Sequence, residues 1–119
     1  MEQWKLEPLE KYLRMLKHYE KKKYDEHIAL ADNLDTYYEA LCKFDNPLQV
    51  KVGFVHDEPD GIKGIDQRGV LKKKLRESRL YVFPDVSSKT LYLLTIGDKG
   101  SQGADIQFCR EYVRSLKIN

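Results

Sequence analysis

Cations are the residues in this 119-residue chain best placed to do chemistry. Arg68, Lys72, Lys73, Lys74, Arg76 and Arg79 crowd one short tract, and Lys99 follows after an apolar run. Clustered Lys and Arg bind phosphates strongly. Cations fixed where negative charge develops also stabilise the transition state of a phosphoryl reaction. If the segment around 71–76 is extended, Lys72, Lys74 and Arg76 share one face, because side chains alternate along a strand. Arg68, Arg79 and Lys99 would then lie near them across a sheet. The same pattern also fits an edge strand on which lysines deter aggregation. The residues alone leave both readings open.

Other chemistries find less to work with. His18, His27 and His56 share no ligand spacing, and His56-Asp57-Glu58 with Asp60 reads as a turn, so neither a metal nor a cofactor is expected. No serine sits in a nucleophile-elbow motif. Gly97, Gly100 and Gly103 lack the spacing of a phosphate-cradling loop. Cys42 and Cys109 have no CxxC partner and fall on apolar helical positions, where a free thiol packs as a small hydrophobe. The Lys21-Lys22-Lys23 run reads as a solvated face.

The elements that must hold the cations centre on residues 79–99. Arg79–Phe83 and Leu91–Ile96 are strand-like runs with turn chemistry between them, in Pro84-Asp85 and Ser87-Ser88. They should form adjacent antiparallel strands. Leu91–Ile96 is apolar on both faces, as suits a strand covered on both sides or central in a sheet. Upstream, Leu9, Leu13 and Leu16, then Ile28, Ala31, Leu34, Tyr38 and Leu41, recur at helical spacing from about Leu6 to Phe44. That is one long helix or a helical hairpin, with Asp25 available to cap a second helix. Asp45-Asn46-Pro47 stops the pattern. Leu48–His56 and Ile62–Gln67 read as strands around the turn Asp57–Gly61.

After Gly100, Ser101 is an expected N-cap, and Ile106, Cys109, Val113 and Leu116 form an apolar helical stripe. This stripe should pack on Leu93 or Leu94 and on Ile96. The order predicts an α+β fold: an N-terminal helix or helical hairpin, a small antiparallel sheet of about four strands, and a C-terminal helix. Helices would cover one face of the sheet.

Length bounds the chain to one domain, 1–119. Hydrophobic residues make up 41% and charged residues 34%, and the net charge of +2 is too small to argue for nucleic acid by its sum, so distribution carries the case. No apolar run nears the roughly 20 residues that span a bilayer. The N-terminal MEQWKLEPLEKYL lacks the basic-then-apolar order of a signal peptide, so the expectation is a cytoplasmic protein with no membrane partner.

The segment GIDQRG … SRLYVFPD … TLYLLTIGDKGSQGADIQFCREYVRSL, roughly Gly61 to Leu116, resembles toxins of the RelE/ParE superfamily of bacterial type II toxin–antitoxin systems. Ser78-Arg79-Leu80-Tyr81-Val82 matches the family's YRLVY-like strand, and Ile96-Gly97-Asp98-Lys99 its V-G-K-R-like strand end. The resemblance implies a metal-independent, ribosome-dependent messenger RNA endoribonuclease that inhibits translation, with an antitoxin, the ribosome and messenger RNA as partners. It implies catalytic roles for Arg79, Lys99, Lys72 and Lys74, beside Arg68, Lys73 and Arg76 as RNA contacts. The ParE branch implies instead a non-enzymatic inhibitor of DNA gyrase. A small α+β interaction module without toxicity is the reading outside the family. The chain departs from the family pattern in having Asp98 beside the expected cation, Lys99 where Arg is common, Asp105 where some members carry a tyrosine, and no evident strand before the helices.

Overall fold

A computed structural model describes residues 3–118. The fold is α+β, with two N-terminal helices, a five-stranded mixed sheet and a C-terminal helix. The chain runs β1 (Lys5–Pro8), α1 (Glu10–Lys22), α2 (Tyr24–Phe44), β2 (Val55–Asp57), β3 (Lys63–Asp66), β4 (Ser78–Asp85), β5 (Thr90–Asp98) and α3 (Gln102–Ile118). The sheet order is β1-β5-β4-β3-β2. β1 pairs with β5 in parallel, and every other pair is antiparallel.

The expected helical hairpin forms, and it is two helices rather than one. Only Lys23 separates α1 from α2, at φ −139° and ψ 58°. Asp25 therefore lies inside the first turn of α2 and caps nothing; it pairs with Lys73 instead. The helical pattern also begins later than Leu6, which belongs to β1. α2 stops at Phe44, where Asp45 adopts the left-handed conformation, ahead of Pro47.

β4 and β5 pair along their whole length, as their composition predicts. β5 carries an extra residue: Tyr81 faces Thr95 while Val82 faces Leu93, so Leu94 is bulged. The bulge shifts the alternation by one. Leu91, Leu93 and Ile96 thus join Leu80, Val82 and Ile65 under the helical hairpin, against Tyr12, Tyr19, Leu30, Tyr37 and Leu41. Leu94 turns to the opposite face with Tyr81 and Ile62, against Cys109 and Val113 of α3. Helices cover both faces, not one. Ile96 consequently packs away from α3, and only Leu94 of the expected α3 contacts on β5 lies beneath it.

Two further expectations change. Leu48–His56 is a strand only from Val55 onward; a short 3-10 turn at Pro47–Gln49 and irregular backbone precede it. The helix α3 is capped not by Ser101 but one turn earlier. Asp98 accepts from the Ser101 backbone N–H at 3.0 Å, and Ser101 Oγ accepts from the Asp98 N–H at 3.1 Å. A 3-10 turn, Lys99–Ser101, leads from this box into the helix. The radius of gyration, 13.6 Å, is that of one compact domain of this length. Among the described residues no helix is long and apolar enough to cross a membrane.

Candidate functional site

On the face that α3 packs against, the helix covers the middle of the sheet and leaves one end open. The strand registers decide what is displayed there. Residues facing each other across antiparallel strands share a face, so the pairs His56↔Gly64↔Tyr81 and Asp66↔Arg79↔Gly97 form two neighbouring rows. Residues 67–77 loop around the open end. Together they enclose an open groove of about 950 Å3 lined by His56, Asp66, Gln67, Arg68, Lys74, Leu75, Arg76, Glu77 and Arg79.

The sequence candidates divide accordingly. Arg68, Lys74, Arg76 and Arg79 converge on the groove. Lys72 and Lys73 do not line it: both are exposed, and Lys73 is turned to Asp25 at the start of α2. Lys99 lies outside it, on the exposed 3-10 turn after β5, where it shares a shallow dent with Arg79, Glu77 and Gln102. The tract 71–76 is not a strand. Its backbone is held by side chains from elsewhere. Asn33, buried on α2, donates to the carbonyls of Asp66 at 2.8 Å and Arg68 at 2.9 Å, and Glu26 accepts from the Arg76 N–H at 3.2 Å. Gln67 Oε1 accepts from the Ser78 N–H at 3.0 Å where β4 begins. The strand alternation expected of Lys72, Lys74 and Arg76 is thereby replaced by a loop that delivers Lys74 and Arg76 only.

Four cations line the groove against two carboxylates, Asp66 and Glu77. Two of the cations are already partnered. Arg79 NH1 donates to Glu58 Oε2 at 3.0 Å, and the two side chains meet above Gly64. A Cβ on Gly64 would stand 3.1 Å from that Glu58 oxygen, so the glycine leaves room for the pair. Arg79 Nε is buried with no hydrogen-bond partner among the described residues. Arg68 donates to Asp66 through Nε at 2.7 Å and approaches it through NH2 at 2.6 Å. Lys74 and Arg76, by contrast, make no ion pair among the described residues, and their charge is free for an anion.

Three groups near the groove carry chemistry that the sequence reading assigned to a turn or passed over. His56 Nε2 lies 2.7 Å from Asp66 Oδ2, and its side chain is 31% exposed on the groove side. Asp66 is buried. Burial pushes its carboxyl up, but donors from the Arg68 side chain and backbone and from His56 outweigh that and hold it below the usual carboxylate range. Glu58 is the third, through Arg79. The signal for His56 and Asp66 was in the hairpin itself: folding the chain symmetrically about Asp60 pairs His56 with Gly64 and puts Asp66 one same-face step away.

Asp98 and Asp105 have structural roles. Asp98 is the helix cap described above and pairs with Lys23 at 3.4 Å. Asp105 is buried against the backbone of Gly97 and accepts from Ser101 Oγ at 2.7 Å; burial raises its carboxyl. Cys109 is fully buried and its thiol is pushed up to about 12 by burial, so it is no nucleophile. No group of three or more His, Cys, Asp or Glu side chains among the described residues is arranged to hold a metal ion. No family model matches this chain, and no curated protein or solved structure matches it either.

Proposed function

We propose that the chain is a RelE/ParE-type toxin whose groove binds a messenger RNA phosphate backbone and cleaves it without metal, acting at the ribosome in the cytoplasm and held in check by an antitoxin. The observation that carries this reading is the convergence of Arg68, Lys74, Arg76 and Arg79 on one groove, where Lys74 and Arg76 make no ion pair among the described residues and the four cations outnumber Asp66, Glu77 and Glu58. A concave site with excess positive charge attracts a polyanion and concentrates it. Arg79 sits on the strand that resembles the family's YRLVY-like strand, and its guanidinium offers the planar fork that suits a phosphate. The parallel first strand, β1, supplies the element before the helices whose absence had set the sequence apart from the family.

The gyrase-binding alternative draws on a different observation. Arg79 is committed to Glu58, and Lys72 and Lys99 lie outside the groove, so of the four cations assigned to catalysis only Lys74 is both in the groove and free of an ion pair among the described residues. One experiment separates the readings. The protein is expressed from a tightly regulated promoter with and without its neighbouring gene, RNA ends are mapped, and DNA supercoiling is assayed in the same cells. Growth arrest with new RNA ends that disappears in Arg79→Ala supports the ribonuclease, since one well-aimed cation contributes about 10²–10³ in rate. Arrest with intact messenger RNA and inhibited supercoiling supports the gyrase reading. Normal growth throughout removes toxicity and leaves the interaction module.

A further inference from the structure

Binding a phosphate requires cations, and it does not require an imidazole leaning on a buried carboxylate. Yet His56 and Asp66 are built into the groove with unusual care. Asp66 accepts from His56 at 2.7 Å, from the Arg68 backbone N–H at 2.8 Å and from Arg68 Nε at 2.7 Å, while buried Asn33 ties the backbone carbonyls of Asp66 and Arg68 to α2. Arg68 by itself would satisfy the carboxylate, so the imidazole is surplus to the fold.

The hydrogen-bond chemistry fixes the ring. A carboxylate oxygen 2.7 Å from Nε2 requires a proton on that nitrogen, because two acceptors do not face each other at that distance. Arg68 NH2, 3.0 Å from the same nitrogen, can only donate and so competes with Asp66 for Nε2; the carboxylate, nearer at 2.7 Å, sets the tautomer. In the neutral ring the lone pair is consequently on Nδ1, and the ring is partly exposed to the groove. A histidine held in one tautomer by a carboxylate, beside an arginine, is an arrangement suited to taking a proton.

Resting on the ribonuclease reading of this groove, we infer that His56, oriented by Asp66, is the proton acceptor of an RNA transesterification. Nδ1 takes the proton of a ribose 2′-hydroxyl as the 2′ oxygen forms its bond to the adjacent phosphorus. The bond from phosphorus to the 5′ oxygen breaks, that oxygen takes a proton from water, and the imidazolium returns its proton to solvent. The products are a 2′,3′-cyclic phosphate and a 5′-hydroxyl. The substrate class is RNA, because a strand without the 2′-hydroxyl offers no nucleophile. Asp66 is a positioning residue: it holds the tautomer and steadies the imidazolium.

The test uses the full chain, messenger RNA on bacterial ribosomes, a naked oligoribonucleotide, and a copy of each carrying 2′-deoxyribose at the cut site. His56→Ala is expected to slow cleavage by about 10²–10⁴ with RNA affinity unchanged, and added imidazole to restore much of the rate. Asp66→Asn should slow cleavage without weakening binding. If His56→Ala unfolds, His56→Gln, whose amide keeps a donor to Asp66, takes its place. A parent that cuts neither RNA takes down the ribonuclease reading and this inference together. A parent that cuts RNA, with His56→Ala cutting undiminished, overturns the inference alone. So does a slowed variant that imidazole does not rescue in either form, or cleavage of the 2′-deoxy copy.

Discussion

At Gly97 the lack of a side chain is a structural requirement. A Cβ there would stand 1.8 Å from Asp105 Oδ2 and 2.5 Å from Ser101 Oγ, and Asp105 is buried. Gly97→Ala is expected to cost about 1–3 kcal/mol in urea unfolding, as overpacking does. Gly53→Ala, with nothing within 4 Å, should stay within about 0.5 kcal/mol. Equal costs would show that the start of α3 is not seated on Gly97. The two buried carboxyls respond to pH in opposite senses. Asp66 is depressed in the folded state, so it adds stability that is complete above its unfolded value and lost as pH falls through the folded one. Asp105 is raised, so its ionisation works against the fold as pH climbs from the unfolded to the folded value. Thermal melts of Asp66→Asn should therefore show a shallower loss of stability below about pH 4 than the parent. Asp105→Asn, isosteric and still able to accept from Ser101, should lose nothing in acid and gain stability near neutral pH. Matching pH profiles for all three proteins would contradict both assignments.

Among the elements, α3 and the β4–β5 hairpin were legible in the sequence because long apolar periods name themselves. The bulge was not. Nothing in Leu93-Leu94-Thr95 announces which leucine changes face; the decision belongs to the partner strand, where Leu80 and Val82 must stay under the helical hairpin. β1 was hidden for a related reason. Its four residues are all exposed, and backbone pairing with β5 holds it where side chains give no period. The basic loop was readable as charge but not as shape, since Asn33, Asp25 and Glu26, distant in sequence, bend it. Arg68, Lys74, Arg76 and Arg79 could thus be named in advance, while His56 and Asp66 needed the hairpin register about Asp60 to bring them together. The two-core arrangement makes a specific forecast. Leu94 is fully buried beneath α3, and Leu94→Ala should cost about 2–5 kcal/mol by chemical denaturation. Ile106 is only half-buried, and Ile106→Ala should cost roughly half as much or less, because less apolar area leaves water there. A reversed order would mean that α3 is rotated from the orientation described.

For the molecule as a whole, the order in which the chain is made matters as much as the order in which it is folded. The apolar faces of α1 and α2 close on Leu80, Val82, Leu91, Leu93 and Ile96, all contributed by the last third of the sequence. β1, near the start, pairs with β5 at the edge of the sheet. Contacts between such distant segments form late, after loop closure has been met. During synthesis the helical hairpin therefore leaves the ribosome with Tyr12, Tyr19, Leu30, Tyr37 and Leu41 uncovered, and it waits for β4 and β5 to emerge. Exposed apolar surface of that kind is what chaperones and proteases recognise. A fragment of residues 1–77 is expected to show no cooperative thermal transition by circular dichroism and to be cut rapidly by a nonspecific protease, while the full chain resists; a cooperative melt of the fragment would refute this. Premature termination anywhere before β5 is complete then yields a degradation substrate, not a smaller working copy, so the groove and its cations come into being only after β5 has been made.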